Sequence, residues 1–121
     1  MSNSFNERRK FIRIYRNFIM TYHEKGEPNA EKNVSQVNNV SKGGLSFSTD
    51  HLLNKGIVLV IGLKTPFIAD PIHVDGVVLE CREKVAGMIY EVRVQFQEVS
   101  DDVLDVLDKI ETYGKTKEDQ L

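Results

Sequence analysis

A single cysteine, three histidines and the want of any long apolar run exclude several kinds of protein at the outset. Cys81 alone can form neither an internal disulfide nor a cysteine metal cluster, and in an alternating, strand-like run it reads as a packing residue rather than a nucleophile. His23, His51 and His73 lack ligand spacing with one another, so no metal and no cofactor are assigned. The longest apolar stretches, such as Ile57 to Ile61, fall far short of the roughly 20 residues that a membrane-spanning helix needs. The amino terminus shows no succession of charged, apolar and small residues of the signal-peptide kind. The expectation is a cytoplasmic protein without membrane insertion, whose two N-x-S sequons stay unmodified.

What remains is an ordinary globular composition. At 121 residues, 40% hydrophobic and 28% charged, the chain is expected to form one domain with a real core. The net charge of −2 conceals an uneven distribution. Arg8, Arg9, Lys10, Arg13 and Arg16 crowd the start, whereas Asp101, Asp102, Asp105, Asp108 and Glu111 load the end. An anionic ligand would favour the first end. A bland alternative is that the ends attract each other, although exposed pairs are each worth only about 0–1 kcal/mol. A pI of about 5.9 and the lack of a basic stripe along any strand argue against long nucleic acid and for a compact anion.

The organisation along the chain is mainly β. Residues 1–7 read as a polar lead and 8–13 as a basic arm. Strands are expected over Arg16–His23, with Phe18, Met20 and Tyr22 on one face, then Asn33–Val40, Leu45–Ser48, Ile57–Leu63, Ile72–Cys81 and Met88–Glu98, the last two flanking a turn at Glu83–Gly87. Glu24–Lys32, with Gly26, Pro28 and Asn29, reads as a loop. Six antiparallel strands at this spacing suggest closure into a barrel, which removes exposed edges. Ser100 is a good helix N-cap, Asp101 and Asp102 suit the positive end of the helix dipole, and Val103, Val106, Leu107 and Ile110 recur at helical spacing, with Leu104 widening the stripe. Gly114 marks the expected stop, leaving a polar tail over 114–121. The helix, about 100–113, is expected to cover one end of the barrel, the alternative being that its stripe meets a partner protein.

Two short motifs carry the functional signal. The first reads RxxxR from Arg9 to Arg13, with Arg8 ahead of it; the second reads NxSxxG from Asn39 through Ser41 to Gly44, with Gly43 in the turn. Guanidinium groups offer planar, bidentate bonds to phosphate oxygens, keep their charge, and can stack on guanine or pair with its N7/O6 edge. Asn39 and Ser41 supply short polar side chains that bond nearby backbone or a ligand. Gly43 and Gly44 permit positive φ and a close approach to the main chain. The chain carries a control, because Asn33-Val34-Ser35 repeats the first half of the turn motif but has Asn38 where the glycine would stand. That copy reads as ordinary strand.

The order and separation of the two motifs, ahead of a β-rich chain with a terminal helix, resemble the PilZ domain family, small β-barrels that bind the bacterial second messenger cyclic di-GMP. The resemblance runs from Arg8 to about Tyr113 and includes Gly44-Leu45-Ser46-Phe47, Gly56 and the strand Tyr90–Phe96. It implies that Arg8, Arg9 and Arg13 contact phosphates and guanines, that Asn39 and Ser41 bond guanine or hold the turn, and that Gly43 and Gly44 allow close approach. No catalysis is needed for such a role. The expected mechanism is order on binding: the free arm, with its clustered like charges, is mobile, the ligand folds it against the barrel, and the changed surface is read by a downstream protein partner. The chain departs from the pattern at Arg93, where many members have glycine; the departure is expected to touch barrel curvature or an outer surface more than the ligand. Asn39 stands where aspartate is also common. The alternatives are a PilZ-like adaptor that binds no nucleotide, or a small nucleic-acid-binding β-barrel.

Overall fold

The computed structural model describes residues 18–27, 32–66 and 68–120, with side chains as far as 113. Six strands and a helix follow in order: β1 (Ile19–Glu24), β2 (Asn33–Val40), β3 (Gly44–Thr49), β4 (Val58–Lys64), β5 (Ile72–Val85), β6 (Ile89–Gln97) and α1 (Asp101–Gln120). Every pairing is antiparallel, and the order β1-β2-β3-β6-β5-β4 closes as β4 pairs with β1. The expected six-stranded antiparallel β-barrel with a C-terminal helix is therefore the fold.

Period-two alternation explains the barrel interior. Phe18, Met20 and Tyr22 point inward from β1, Leu45 and Phe47 from β3, and Val92, Val94 and Phe96 from β6, all buried. The rings of Tyr22 and Phe47 lie 4.8 Å apart. Tyr22 keeps its hydroxyl satisfied by Thr49 Oγ1 at 2.7 Å, and burial raises its pKa above the ordinary tyrosine value. The near-continuous apolar run of β4 puts Leu59, Ile61 and Leu63 in the same core.

Alternation breaks at three bulges. In β2 the register with β3 shifts between Val37 and Asn39. An extra residue there resets the pleat, so Val37 and Val40 are both buried although three positions apart, and Asn39 is turned outward. In β5 the register with β6 shifts between Val78 and Glu80. A further shift lies between Glu83 and Val85 near the hairpin tip.

The β5–β6 hairpin is longer than expected, running to Val85 with its turn at residues 86–88. β5 outgrows β4, whose last ladder partner on it is Val77. Val78 still joins the core, but from Arg82 to Val85 the extension is exposed on both faces, and cross-strand ion pairs lace it, Arg82–Glu91 at 3.8 Å and Lys84–Glu91 at 3.5 Å. Gly87, at φ 67°, supplies the left-handed residue its tip requires.

The helix begins where the sequence places it. Ser100 Oγ accepts the Val103 N–H at 3.3 Å and its carbonyl accepts that of Leu104 at 2.9 Å. Ser100→Ala is expected to cost about 1 kcal/mol, seen as a lower urea midpoint with an unchanged slope. Leu107 and Ile110 are fully buried on the barrel end, where Tyr113 meets Phe18 with ring centroids 6.0 Å apart. Leu104 does not join the stripe and is exposed. The helix does not stop at Gly114 but continues to Gln120. An interior glycine costs only about 1 kcal/mol relative to alanine, and Lys115, Lys117, Glu118 and Gln120 are good helix formers that offset it. Among the described residues, no helix is long and apolar enough to cross a membrane.

Candidate ligand-binding site

Between the Asn39–Gly44 turn and the middle of β6 lies an open groove of about 390 Å³ on the outer face of the barrel. Its walls include Asn39, Ser41, Gly43 and Gly44 from the turn motif, Ser46 from β3, Leu79 from the β5 bulge, and Arg93 and Gln95 from β6. All four turn residues singled out in the sequence thus meet in one place. Arg8, Arg9 and Arg13 lie outside the described residues.

The turn is held from within. Ser41 N–H donates to the Gly44 carbonyl at 2.8 Å, and the Gly43 N–H donates to Ser41 Oγ at 3.3 Å. The Gly43 carbonyl accepts the Phe96 N–H at 2.9 Å, which docks the turn on β6. Ser41 therefore has a turn-stabilising role in this structure. Asn39 reaches the groove through the β2 bulge: strict alternation from Val37 would have buried it. The spacing Val37-Asn38-Asn39-Val40, with two valines three apart in a strand, was the available signal.

Gly43 and Gly44 do not take the positive φ that the sequence allowed, the glycines that do being Gly26, Gly56 and Gly87. Gly43 faces open space, so a side chain there meets nothing within 4 Å. Gly44 is required by close approach, but to protein: a Cβ would stand 2.0 Å from the Val94 carbonyl oxygen and 3.2 Å from Gln95 Cα. The glycine of this motif is demanded by the packing of β3 on β6.

Charge around the groove is unevenly placed. Lys42, at the turn's apex, is directed to the helix: its ammonium lies 3.1 Å from Asp108 Oδ1, and its backbone N–H donates to Glu111 Oε2 at 2.6 Å. The hydrogen bond to Asp108 holds the Lys42 pKa above the ordinary lysine value. Two of the acidic residues that load the end of the chain thus bind the turn. Arg93 lies on the outer surface, as expected, and that surface is the wall of the groove. Its Nη1 donates to Glu80 Oε1 at 3.2 Å. In the incomplete first copy of the motif, Ser35 Oγ donates to the Ser48 carbonyl inside the sheet, and Ser35 does not line the groove. No group of three or more His, Cys, Asp or Glu side chains among the described residues is placed to hold a metal. Cys81 is a free, partly buried thiol packed against the core.

Solved structures share this architecture. K. pneumonia MrkH in its apo state superposes with a TM-score of 0.72 at 18% identity, covering 87% of this chain and 47% of that one. The structure titled as the PilZ domain with c-di-GMP of YcgR from Escherichia coli gives 0.62 at 16% identity, covering 86% of this chain and 88% of that one. The Bacillus subtilis inhibitor of motility MotI/DgrA gives 0.64 at 12% identity, covering 83% and 46%. At these identities the likeness establishes the fold, and this chain spans about half the length of MrkH and MotI/DgrA. No protein of curated function matches the chain in sequence. Residues 7–112 match the family described as PilZ domain, a span that takes in the barrel, the turn motif and the start of the helix, and the chain belongs to that family.

Proposed function

We propose that this protein is a non-enzymatic receptor for cyclic di-GMP. The observation that carries the reading is the convergence of Asn39, Ser41, Gly43 and Gly44 on one open groove of a PilZ barrel. The YcgR PilZ domain named above, a relative in fold, has a structure with c-di-GMP. In this reading Arg8, Arg9 and Arg13 supply the guanidinium groups for phosphates and guanines. Asn39 and Ser41 bond the ligand's guanine or keep the turn in shape, and the bare main chain at Gly43 admits the ligand closely. The output passes to a protein partner in the cytoplasm. Since Lys42 ties the turn to Asp108 and Glu111, a ligand seated at the turn bears on the helix too. Its effect on that tie is limited to its differential affinity for the two arrangements.

Titration calorimetry with cyclic di-GMP, with GTP and cyclic di-AMP as controls, tests the reading: saturable binding of cyclic di-GMP alone is expected. Ser41→Ala loses the acceptor for the Gly43 N–H and is expected to weaken that binding by about one decade, on the scale of roughly 0.5–1.5 kcal/mol for a hydrogen bond. Ser35→Ala loses a bond inside the sheet and is expected to lower the melting temperature slightly while leaving affinity unchanged. Equal affinity losses at Ser35 and Ser41 would place the motif wrongly.

A further inference from the structure

Of the described residues lining the groove, the one that carries a positive charge is Arg93. It projects outward from β6 between buried Val92 and Val94, in register with Ser46 on β3 and with Glu80 on β5. That register sets it beside the turn motif on the same outer face of the barrel. Its side chain is 58% exposed. It also borders an adjoining groove of about 550 Å³ lined by Leu52, Lys55 and Glu80 among others.

The pair with Glu80 is exchangeable. Glu80 has a second cation at hand, Arg82 Nε at 3.6 Å, so its carboxylate is not left alone when Arg93 turns away. Without Arg93 the described lining of the groove would carry no positive charge, and the carboxylate of Glu80, its partner on β5, would oppose an anion. With Arg93 present, the same wall offers a planar fork of donors suited to a phosphate.

We propose that Arg93 is a ligand-contacting residue of this site, its guanidinium leaving Glu80 to take a phosphodiester oxygen of the bound dinucleotide. The proposal rests on the reading of the groove as a cyclic di-GMP site.

The experiment is calorimetry of the full chain with cyclic di-GMP at two ionic strengths, for wild type, Arg93→Ala and Arg93→Lys, with melting curves as a fold control. Arg93→Ala is expected to bind about 10- to 100-fold more weakly, as for loss of a charge-assisted bond, and to lose part of the wild type's salt sensitivity. Arg93→Lys is expected to fall between, with wild-type salt sensitivity. Unchanged or tighter binding by Arg93→Ala, with an unchanged melting temperature, overturns the proposal and makes Arg93 an occupant of the groove that the ligand must push aside. Absence of cyclic di-GMP binding by the wild type would instead refute the site reading on which it rests.

Discussion

Arg9→Ala and Arg13→Ala are each expected to reduce cyclic di-GMP affinity by about one to two decades, since a hydrogen bond to a charged group contributes roughly 1.5–3 kcal/mol. The two substitutions remove guanidinium groups whose planar geometry, not merely their charge, matches a phosphate or the N7/O6 edge of guanine. Arg9→Lys is therefore expected to remain impaired, because an ammonium is a point charge with no fork. Calorimetry decides, and circular dichroism should show the barrel intact in all three variants. Unchanged titrations for both alanine variants would remove the arm from the site. Wild-type affinity in Arg9→Lys would reduce the arm to general electrostatics, and steep salt dependence with any oligonucleotide would then favour a nucleic-acid role.

Gly44→Ala is expected to have the largest effect on stability. The added methyl would stand 2.0 Å from a backbone oxygen, and a main-chain atom in a paired strand cannot rotate aside as a side-chain tip can. Relief requires β3 to separate from β6 at Gly44↔Gln95, the pair beside the turn. The cost is expected at or above the upper end of the roughly 1–3 kcal/mol typical of overpacking, which lowers the melting temperature by on the order of 10 °C for a domain of this size. Gly43→Ala is the control, since its Cβ meets nothing within 4 Å. Its melting temperature should stay within a degree or two of wild type, at about 0.5 kcal/mol. Loss of binding in Gly44→Ala would follow from the damaged sheet, so a variant that melts like wild type would refute the close-packing account.

These two glycines show where a sequence ceases to speak. Alternation of Phe18, Met20 and Tyr22, or of Val92, Val94 and Phe96, is a local signal, and the elements built on it fall within a few residues of their expected bounds. The expected Asn33–Val40 strand coincides with β2, and Ser100 caps the helix. Gly44, by contrast, answers to Val94, fifty positions away, and no local pattern distinguishes a glycine needed by a distant strand from one left open for a ligand. Arg93 is a similar case. Alternation puts it outside the barrel, but only the register of three strands and the bulge at Leu79 reveals that this outside is the groove. The helix runs past Gly114 for a different reason: a glycine with good helix formers after it carries no decisive stop. The turn residues were legible as a group because their spacing is short, whereas the acidic partners of Lys42, Asp108 and Glu111, required the fold to bring the helix against a turn far from it in sequence.

The overhang of β5 beyond β4 has a bearing on how other molecules meet this protein. A length of strand that outgrows its neighbour is a template on which a foreign strand could grow by main-chain bonding, the start of many aggregates. Here that length is bent by bulges at Leu79 and near Lys84 and carries Glu80, Arg82 and Lys84, features that discourage strand addition. A partner approaching this side therefore has side chains to read rather than a backbone to extend, and its choice turns on charge pattern and shape, which single substitutions can retune without disturbing the barrel.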